Sequence, residues 1–372
     1  MTKEAVYDQI ANSIKQKIIN GTYNVDEKIP TEAELAQIFS TSRTTVVKAL
    51  DKLNAEGFIY RIQGSGSFIK NKRMNLGMPS IVSVIFPFEH NDLRVDEKNI
   101  VRGIESYLKK IGYILTVHYV GNKINEEKEL IEKCKSQMSK GVILYPINTK
   151  KDLSILYDWI LDPYPIVFLD KISDFDNSSC VCTDNVKGGY EATKYMIKKG
   201  YKDFYFVCDS IIDYLPSVRE RYFGFCKALM ENGFKIEQDH CISGFGVNDD
   251  VYKAVEYKDN PEIYDNILKN ILEKNNEKGD IAIVAKTDLE ALSIVSAAIN
   301  LGIKIPDYLG VMGYDDSILA LQSQILLSTM SQDYYNIGIK SAQMLVDIIE
   351  NNNKPTKCSM FEPKLVIRES TR

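Results

Sequence analysis

The run Ser42-Arg43-Thr44-Thr45 carries side chains that could bond to the edges of nucleic-acid bases. Small hydroxyl groups approach a groove closely, and an arginine can bond a guanine through two parallel hydrogen bonds. Lys48 follows about one helical turn later, where its charge suits a phosphate. This combination of residue types and spacing predicts the first turns of a helix that reads a DNA groove.

A second set of polar residues follows the predicted strands in the rest of the chain. Carboxylates, amides, an arginine and aromatic rings suit a polyhydroxylated sugar, because each sugar hydroxyl needs a donor and an acceptor. Ligands of parallel α/β sheets bind beyond the carboxyl ends of the strands. The alternative at any single position is that a strand end is polar because water reaches it. The candidates are Phe88, Glu89, His90, Asn91, Tyr145, Asn148, Asp170, Asn185, Ser210, Arg219, Arg221, Thr287, Asp288, Asp315 and Asp316.

The base-reading run must be positioned by helices, and the apolar spacing predicts three of them. Apolar residues between 7 and 18 recur at helical spacing and form one stripe. Thr31 can accept a hydrogen bond from the backbone of Glu34, and Glu34 can reach back to Thr31, which predicts the start of a second helix. A short turn at 40–41 leads into the third helix, which Gly57 ends.

A hairpin is predicted directly after the third helix. Two β-rich runs, 58–62 and 67–69, flank the small residues of 63–66. A helix-turn-helix followed by such a hairpin is a winged helix, whose small tip fits a minor groove while Arg61 could neutralise a phosphate. The alternative is a small helical bundle that contacts another protein.

This stretch resembles the DNA-binding domain of the GntR family. The matching segments are Ile29-Pro30-Thr31-Glu32-Ala33-Glu34-Leu35-Ala36, Ser42-Arg43-Thr44-Thr45-Val46, Glu56-Gly57-Phe58-Ile59 and Gly64-Ser65-Gly66-Ser67. Val47 stands where the family often carries a basic residue, so one basic side chain is missing from the predicted surface. The resemblance implies DNA contacts at Thr31, Arg43, Thr44, Thr45, Arg61, Gln63, Gly64, Ser65 and Gly66.

Beyond a polar, basic linker at 71–79, strands and helices alternate along the chain. Regular alternation with nearly continuous apolar strands, such as 81–87, predicts parallel sheets covered by helices on both faces. The body is too long for one small doubly wound sheet, so we expect two. The predicted organisation is therefore a winged helix-turn-helix domain at 1–70 and a two-lobed α/β domain at 80–372.

The α/β body resembles the effector domain of LacI/GalR-type regulators, which shares the type I periplasmic-binding-protein fold. The matching segments are Phe168-Leu169-Asp170, Thr183-Asp184-Asn185, Gly188-Gly189, Ser217-Val218-Arg219-Glu220-Arg221, Gly224-Phe225, Val311-Met312-Gly313-Tyr314-Asp315-Asp316 and Ser331-Gln332-Asp333. We assign one lobe to about 80–184 and 332–361, and the other to about 185–331 and 362–372.

The resemblance also implies roles for individual residues. Arg219, five residues before Gly-Phe, would clamp a sugar, and Asp315 would accept protons of sugar hydroxyls. Asp170 would lie at the cleft, with Gln332 and the loop 88–91 as further matches. Thr287 stands where the family often has asparagine.

A GntR-type reader joined to this body resembles the arabinose-repressor subfamily. The resemblance implies a cytoplasmic homodimer that binds double-stranded operator DNA and is released by a monosaccharide, L-arabinose or a related pentose. The alternatives are a sensor or solute-binding protein for a hexose or a purine-like molecule, and a DNA-binding domain fused to an enzyme. Complete dinucleotide-loop, phosphate-loop and nucleophile-elbow motifs are absent from the sequence, so we expect no catalysis and no cofactor.

Composition agrees with a nucleic-acid reader on a larger body. The 372 residues are 44% hydrophobic and carry a net charge of −5, yet residues 1–75 contain 11 Lys and Arg against 8 Asp and Glu. No apolar run is long enough for a membrane span. We expect the seven cysteines to be reduced thiols, with Cys180 and Cys182 on opposite faces of a strand and no metal site.

Overall fold

The protein is described from a computed structural model. The residues that this structure describes are 6–19, 23, 27–55, 57–62, 65–69, 80–87, 95–121, 124–137, 139–147, 164–169, 179–212, 215–246, 259–276, 278–351 and 358–372. The chain divides into two compact units, Met1–Pro79 and Ser80–Arg372.

The first unit contains three helices and a two-stranded antiparallel hairpin. The elements are α1 (Val6–Ile19), α2 (Glu32–Ile38), α3 (Arg43–Ala55), β1 (Ile59–Ile62) and β2 (Gly66–Ile69). Its core joins all three helices to the hairpin through Ile14, Leu35, Leu50 and Ile59. The predicted winged helix-turn-helix is thus confirmed.

The start of α2 is fixed by the predicted reciprocal cap. The backbone N–H of Glu34 donates to the Thr31 hydroxyl at 3.4 Å, and the backbone N–H of Thr31 donates to the Glu34 carboxylate at 2.7 Å. The Thr31 hydroxyl also donates to that carboxylate at 2.8 Å. These hydrogen bonds from Thr31 lower the pKa of Glu34, so the carboxylate that closes the cap is held in its charged form.

The second unit contains two six-stranded sheets. The first comprises β3 (Ile81–Phe86), β4 (Ile114–Tyr119), β5 (Ser139–Leu144), β6 (Ile166–Leu169), β7 (Cys180–Thr183) and β13 (Ser359–Phe361), in the order β13-β7-β6-β5-β3-β4. The second comprises β8 (Asp203–Cys208), β9 (Cys241–Ser243), β10 (Ile281–Ala285), β11 (Leu309–Asp315), β12 (Ser328–Ser331) and β14 (Lys364–Val366), in the order β14-β12-β11-β10-β8-β9. Every pair is parallel except β12 with β14, which confirms two doubly wound, parallel-dominated sheets.

Helices cover the apolar faces of these sheets. They are α4 (Val95–Lys110), α5 (Ile124–Ser136), α6 (Asn185–Lys198), α7 (Pro216–Glu231), α8 (Pro261–Asn275), α9 (Asp288–Asn300) and α10 (Tyr334–Asn351). Short 3₁₀ turns lie at Gln238–His240 and Ile318–Leu321. None of the described helices is both long enough and apolar enough to cross a bilayer.

The chain passes between the two sheets three times. It leaves β7 for α6 at Asp184, leaves β12 for α10 beyond Ser331, and leaves β13 for β14 beyond Phe361. The backbone N–H of Asp184 donates to the carbonyl of Phe361 at 2.8 Å, so two of these crossings are hydrogen-bonded to each other. Side chains at the crossings can therefore meet groups from both sheets.

Two glycines let α6 and α7 approach closely. A Cβ at Gly189 would lie 1.9 Å from the carbonyl oxygen of Arg221, and one at Gly224 would lie 2.0 Å from that of Val186. Because no side chain fits at either position, this contact requires glycine. It fixes the part of α7 that carries Arg221.

The expectation that all seven cysteines are reduced is wrong for one pair. Cys180 and Cys358 form a disulfide across 178 residues of sequence. The register of β13 on β7, in which Ser359 pairs with Val181, brings the two residues side by side. The expectation of opposite faces is also wrong, because residues two apart on a strand share a face. The Cys182 sulfur accordingly lies 3.3 Å from that of Cys358.

Candidate functional site

The predicted base-reading run forms the exposed start of α3. The Ser42 hydroxyl accepts a hydrogen bond from the backbone N–H of Thr45 at 3.2 Å and lies 2.8 Å from the Thr44 hydroxyl. Ser42 therefore caps α3. Arg43 and Lys48 are exposed on the same helix. The structure thus brings these five predicted residues together on one surface of the first unit.

Arg43 and Arg61 are joined by a residue that the sequence prediction did not single out. Glu32 accepts a hydrogen bond from Arg43 Nε at 3.0 Å and a further one from Arg61. Arg61 also donates to Asp51 at 2.6 Å. The two predicted DNA-contacting arginines, from α3 and from β1, are therefore held by one carboxylate at the start of α2. The only sequence signal was the acidic first turn of α2.

The hairpin presents small residues at its tip. Ser65 is exposed, and Gly66 has a φ of 125°, a conformation that favours glycine. A Cβ at Gly66 would lie 2.8 Å from Cε of Lys28, a flexible side chain that can move aside, so the backbone conformation is what favours glycine at this position. Gln63 and Gly64, which the sequence prediction included, lie outside the described residues.

The second candidate site centres on Asp315, at the carboxyl end of β11. One oxygen of its carboxylate accepts hydrogen bonds from the side-chain amide of Gln332 at 2.7 Å and from the Tyr334 hydroxyl at 3.0 Å. The same oxygen lies 3.9 Å from the guanidinium of Arg221. A residue of the second sheet thus meets the crossing from β12 to α10. Tyr334 was absent from the predicted set.

Asp315 and Asp316 both have positive φ, at 113° and 54°. Residues other than glycine rarely adopt this conformation, and each such position costs of order 1–3 kcal/mol. Asp316 is held by Arg368 at 2.6 Å, and its backbone N–H donates to the Thr329 hydroxyl at 3.3 Å. The strained turn aims the two neighbouring carboxylates in different directions, that of Asp315 to Gln332 and Tyr334 and that of Asp316 to Arg368.

Arg221 is buried at 5% exposure and oriented from several sides. Its Nε donates to the Asn185 side chain at 3.0 Å, and one terminal nitrogen donates to the backbone carbonyl of Lys286 at 2.6 Å. The guanidinium also lies 3.7 Å from the centre of the Tyr314 ring. A charged, planar donor is therefore fixed beside Asp315 before any ligand binds.

The geometry distinguishes Arg219 from Arg221, and the role of Arg219 in binding a sugar stays a prediction. Residues two apart on a helix point in nearly opposite directions, so only one of Arg219 and Arg221 can face Asp315. The structure places Arg221 there, while Arg219 is half-buried on another face of α7. The signal was in the sequence: Ser217, Arg221, Gly224 and Ala228 share one stripe, and all are buried.

Two other predicted residues support the scaffold. Thr287 caps α9 by accepting a hydrogen bond from the backbone N–H of Glu290 at 3.5 Å. Asp288 accepts hydrogen bonds from the Thr329 hydroxyl at 2.5 Å and the Ser317 backbone at 2.6 Å. Burial and the nearby charge of Asp315 raise the pKa of Asp288 to about 7.

The remaining predicted residues fall in three places. Gln332 is buried and accepts a hydrogen bond from the Thr183 hydroxyl, which ties it to β7 as well as to Asp315. Tyr145 is half-buried, with its ring centre 6.4 Å from that of Phe86 in the first sheet. Phe88, Glu89, His90 and Asp170 lie outside the described residues.

A buried charged cluster lies directly behind Arg221 and was not predicted. The ammonium group of Lys286 pairs with Asp209, lies 3.5 Å from Glu290, and bonds Ser210 at 3.2 Å. Burial raises the pKa of Glu290 to about 8. Burial lowers the pKa of Lys286, but Glu290 and Asp209 outweigh that effect and raise it. The cluster joins the ends of β8 and β10 to the first turn of α9.

Comparison with known proteins finds a family model that matches part of each unit. Residues 6–69 match the bacterial regulatory proteins of the gntR family, and residues 193–371 match the periplasmic binding protein-like domain. The chain is 28% identical to an arabinose metabolism transcriptional repressor of Halalkalibacterium halodurans, over 99% of this chain and 97% of the relative. It is 27% identical to a repressor of the same name from Geobacillus stearothermophilus, over 98% and 97%.

A solved structure with the same fold covers both units. The complex of the transcriptional regulator CelR with cellobiose aligns with a TM-score of 0.66, covering 99% of this chain and 100% of that one. The sequence identity is 19%, so this likeness concerns the fold alone.

Proposed function

We propose that this chain is a transcriptional repressor with a GntR-type DNA-binding domain and a periplasmic-binding-protein-like domain, and that a monosaccharide releases it from operator DNA. The observation that carries the sugar proposal is the group formed by Asp315, Arg221 and Gln332. It offers a carboxylate acceptor, a fixed guanidinium donor and an amide at one point between the two sheets. Neighbouring hydroxyls of a sugar ring need this mixture of acceptors and donors.

The effector is proposed to be neutral. Asp315 and Asp288 lie close enough for the charge of one to raise the pKa of the other. A phosphorylated ligand would be repelled by these carboxylates. The two relatives with nearly full coverage are named as arabinose metabolism repressors, which makes L-arabinose or a related pentose the first candidate. A hexose is the second candidate.

The protein is proposed to act on DNA as a homodimer. One recognition helix per chain reads a single half-site, and two-fold operators match two-fold proteins. Exposed apolar side chains on α9 and on the 3₁₀ turn at Ile318–Leu321 support this proposal, because Ile299, Ile318, Leu319 and Leu321 are at least 40% exposed. A residue such as Leu319 on this surface would be buried when two copies pair.

The oligomeric state can be tested by disrupting this surface. Leu319→Glu should convert a dimer to a monomer in sedimentation velocity, because a carboxylate would have to be buried in an apolar contact. Met230→Glu is the matched control, since Met230 is 68% exposed on α7, away from this surface. A Leu319→Glu protein that stays dimeric would place the interface elsewhere.

Repression and release follow from two linked binding events. A sugar bound at Asp315 and Arg221 would favour a changed relation between the sheets, because the residues around it lie on the crossings. Linkage of this kind is typically worth 1–3 kcal/mol, a factor of 5–150 in affinity. We propose that the protein is not an enzyme, because the group around Asp315 supplies hydrogen-bond donors and acceptors that bind a sugar. Its proposed location is the cytoplasm, with the operator DNA.

The decisive experiment measures operator affinity with and without sugars. An operator is first selected from a pool of random DNA, and fluorescence anisotropy then follows its binding with a panel of pentoses, hexoses and sugar phosphates. One neutral pentose should weaken binding at least fivefold. If operator affinity is unchanged by every sugar, the proposed release by a sugar is wrong. The proposed role as a DNA-binding regulator is then unaffected.

Matched arginine variants then locate the pocket. Arg221→Ala should keep operator binding and lose the sugar response, because its guanidinium faces Asp315. Arg219→Ala, two residues away on α7, should respond like the unaltered protein. The opposite pattern would return the sugar-binding role to Arg219.

A further inference from the structure

Three cysteine sulfurs meet where β13 begins. Cys180 and Cys358 are joined by a disulfide, and the sulfur of Cys182 lies 3.3 Å from that of Cys358. Cys180 is buried, whereas Cys182 and Cys358 are half-buried and so within reach of small solutes. Among the described residues no other disulfide is formed. Cys180 and Cys182, both on β7, are thus alternative disulfide partners of Cys358, which directly precedes β13.

This arrangement suits thiol–disulfide exchange. The Cys182 thiolate can attack the Cys358 sulfur, forming the Cys182–Cys358 bond and breaking the Cys180–Cys358 bond. Cys180 then leaves as a thiolate and takes up the proton that Cys182 released. One disulfide and one thiol are present before and after, so this step needs no external oxidant.

The exchange would be linked to the crossings between the sheets. In the parallel ladder Met360, not Cys358, pairs with Cys182. A Cys182–Cys358 bond therefore requires β13 to shift along β7. Two contacts lie directly on that path: the hydrogen bond from Asp184 to the carbonyl of Phe361 at 2.8 Å, and the ion pair of Lys187 with Glu362 at 2.6 Å. Both connect the crossing at Asp184 to the crossing after β13.

We propose that Cys180, Cys182 and Cys358 form a redox modification site that controls the position of β13 at the crossings. A hydroperoxide oxidises two of the thiols to a disulfide: one thiol becomes a sulfenic acid as the peroxide bond breaks, and the second thiol displaces water. A small dithiol reverses the reaction by reducing the disulfide and becoming a disulfide itself. Cys182 and Cys180 are the alternative partners of Cys358.

Mapping of Cys358 tests the proposal without sugar or DNA. The full-length protein is reduced, treated with hydrogen peroxide, blocked with iodoacetamide and digested with trypsin, and mass spectrometry follows the peptide at 358–364. Cys358 should be linked to the peptide at 172–187 in Cys180→Ser and in Cys182→Ser alike. The double variant should leave Cys358 alkylated. Cys134→Ser, which changes a buried cysteine of α5 in the same apolar cluster as Cys180, should behave like the unaltered protein.

Two results would overturn the proposal. An alkylated Cys358 in oxidised, folded Cys180→Ser would show that Cys182 cannot take the place of Cys180. Reduction of Cys182→Ser by dithiothreitol as fast as that of the unaltered protein would show that Cys182 takes no part in exchange; we expect it to be at least threefold slower. Circular dichroism confirms folding of each variant. Because neither readout involves an operator or an effector, failure here leaves the proposed function intact.

Discussion

The two units use arginine in opposite ways. In the first unit, Met1–Pro79, the side chain of Arg43 is 72% exposed to solvent. It shares the carboxylate of Glu32 with Arg61. In the α/β unit, Arg221 is nearly inaccessible and bonded to an amide, a carbonyl and an aromatic ring. Exposed ion pairs contribute about 0–1 kcal/mol, whereas removing one partner of a buried pair costs about 3–5 kcal/mol. The exposed arginines can therefore exchange partners at little cost, whereas Arg221 is held in one orientation.

The largest effect is expected at Lys286, whose ion pair is buried in the α/β unit. Replacing Lys286 by Met leaves Asp209 and Glu290 buried without their cation and should lower the free energy of unfolding by about 3–5 kcal/mol. Lys202→Met is the matched control, because Lys202 pairs with Asp280 at 2.9 Å but is 77% exposed. Its loss should cost under about 1 kcal/mol. Urea unfolding followed by circular dichroism measures the free energy of unfolding of both variants. Similar losses of stability would contradict the expected difference between buried and exposed ion pairs.

Replacing Arg43 should have an effect of intermediate size, and this effect concerns the preference of the protein for particular DNA sequences. Arg43→Ala is expected to cost about 1–3 kcal/mol at one operator position and to relax the choice of base there. Lys48→Ala should weaken all DNA sequences alike, as loss of a phosphate contact does. Binding to a set of singly substituted operators separates the two; uniform loss with Arg43→Ala would make Arg43 a phosphate contact.

The buried carboxyl groups should make stability depend on pH. The pKa of Glu290 is raised to about 8, and that of Asp288 to about 7. A raised pKa in the folded state means that the contribution of each group to stability is fully present below its ordinary pKa and is lost as pH rises through the raised value. Each group contributes at most about 1.4 kcal/mol per pH unit.

Urea unfolding between pH 5 and pH 9 checks this dependence. Glu290→Gln, which stays neutral throughout, should remove part of the slope. Lys286, Asp209 and Cys208 face the same group and remain unchanged in the variant. A slope as steep in Glu290→Gln as in the unaltered protein would assign the titration to another group.

The smallest effect is expected at Glu32. Glu32→Gln releases Arg43 and Arg61 from a shared charge and should strengthen DNA binding by under about 1 kcal/mol at low salt. The slope of log affinity against log salt should become steeper, because more phosphate charge is neutralised. Weaker binding after this change would mean that Glu32 positions the arginines for DNA.

How much the sequence could predict depended on how far apart the contacting residues are. The cap between Thr31 and Glu34 spans three residues, so its chemistry is visible in the sequence. The pairing of Lys286 with Asp209 spans 77 residues, and the disulfide of Cys180 with Cys358 spans 178. Both depend on strand order, which the alternation of strands and helices does not specify. Arg221 shows another limit: the buried stripe that carries it was readable in the sequence, but the motif spacing favoured Arg219.

The three crossings also bear on how the chain is made. The first sheet lacks its edge strand until Phe361 has been synthesised, and the second lacks β14 until Val366 has. Ser370 then donates from its hydroxyl to the carbonyl of Val311 in the middle of that sheet. The core of the first unit, by contrast, is complete once Ile69 has been synthesised. N-terminal domains fold first during synthesis. The first unit therefore leaves the ribosome long before either sheet has all of its strands. A message cut short before the codons for Ser359–Val366 would therefore yield a complete first unit beside two sheets that each lack a strand.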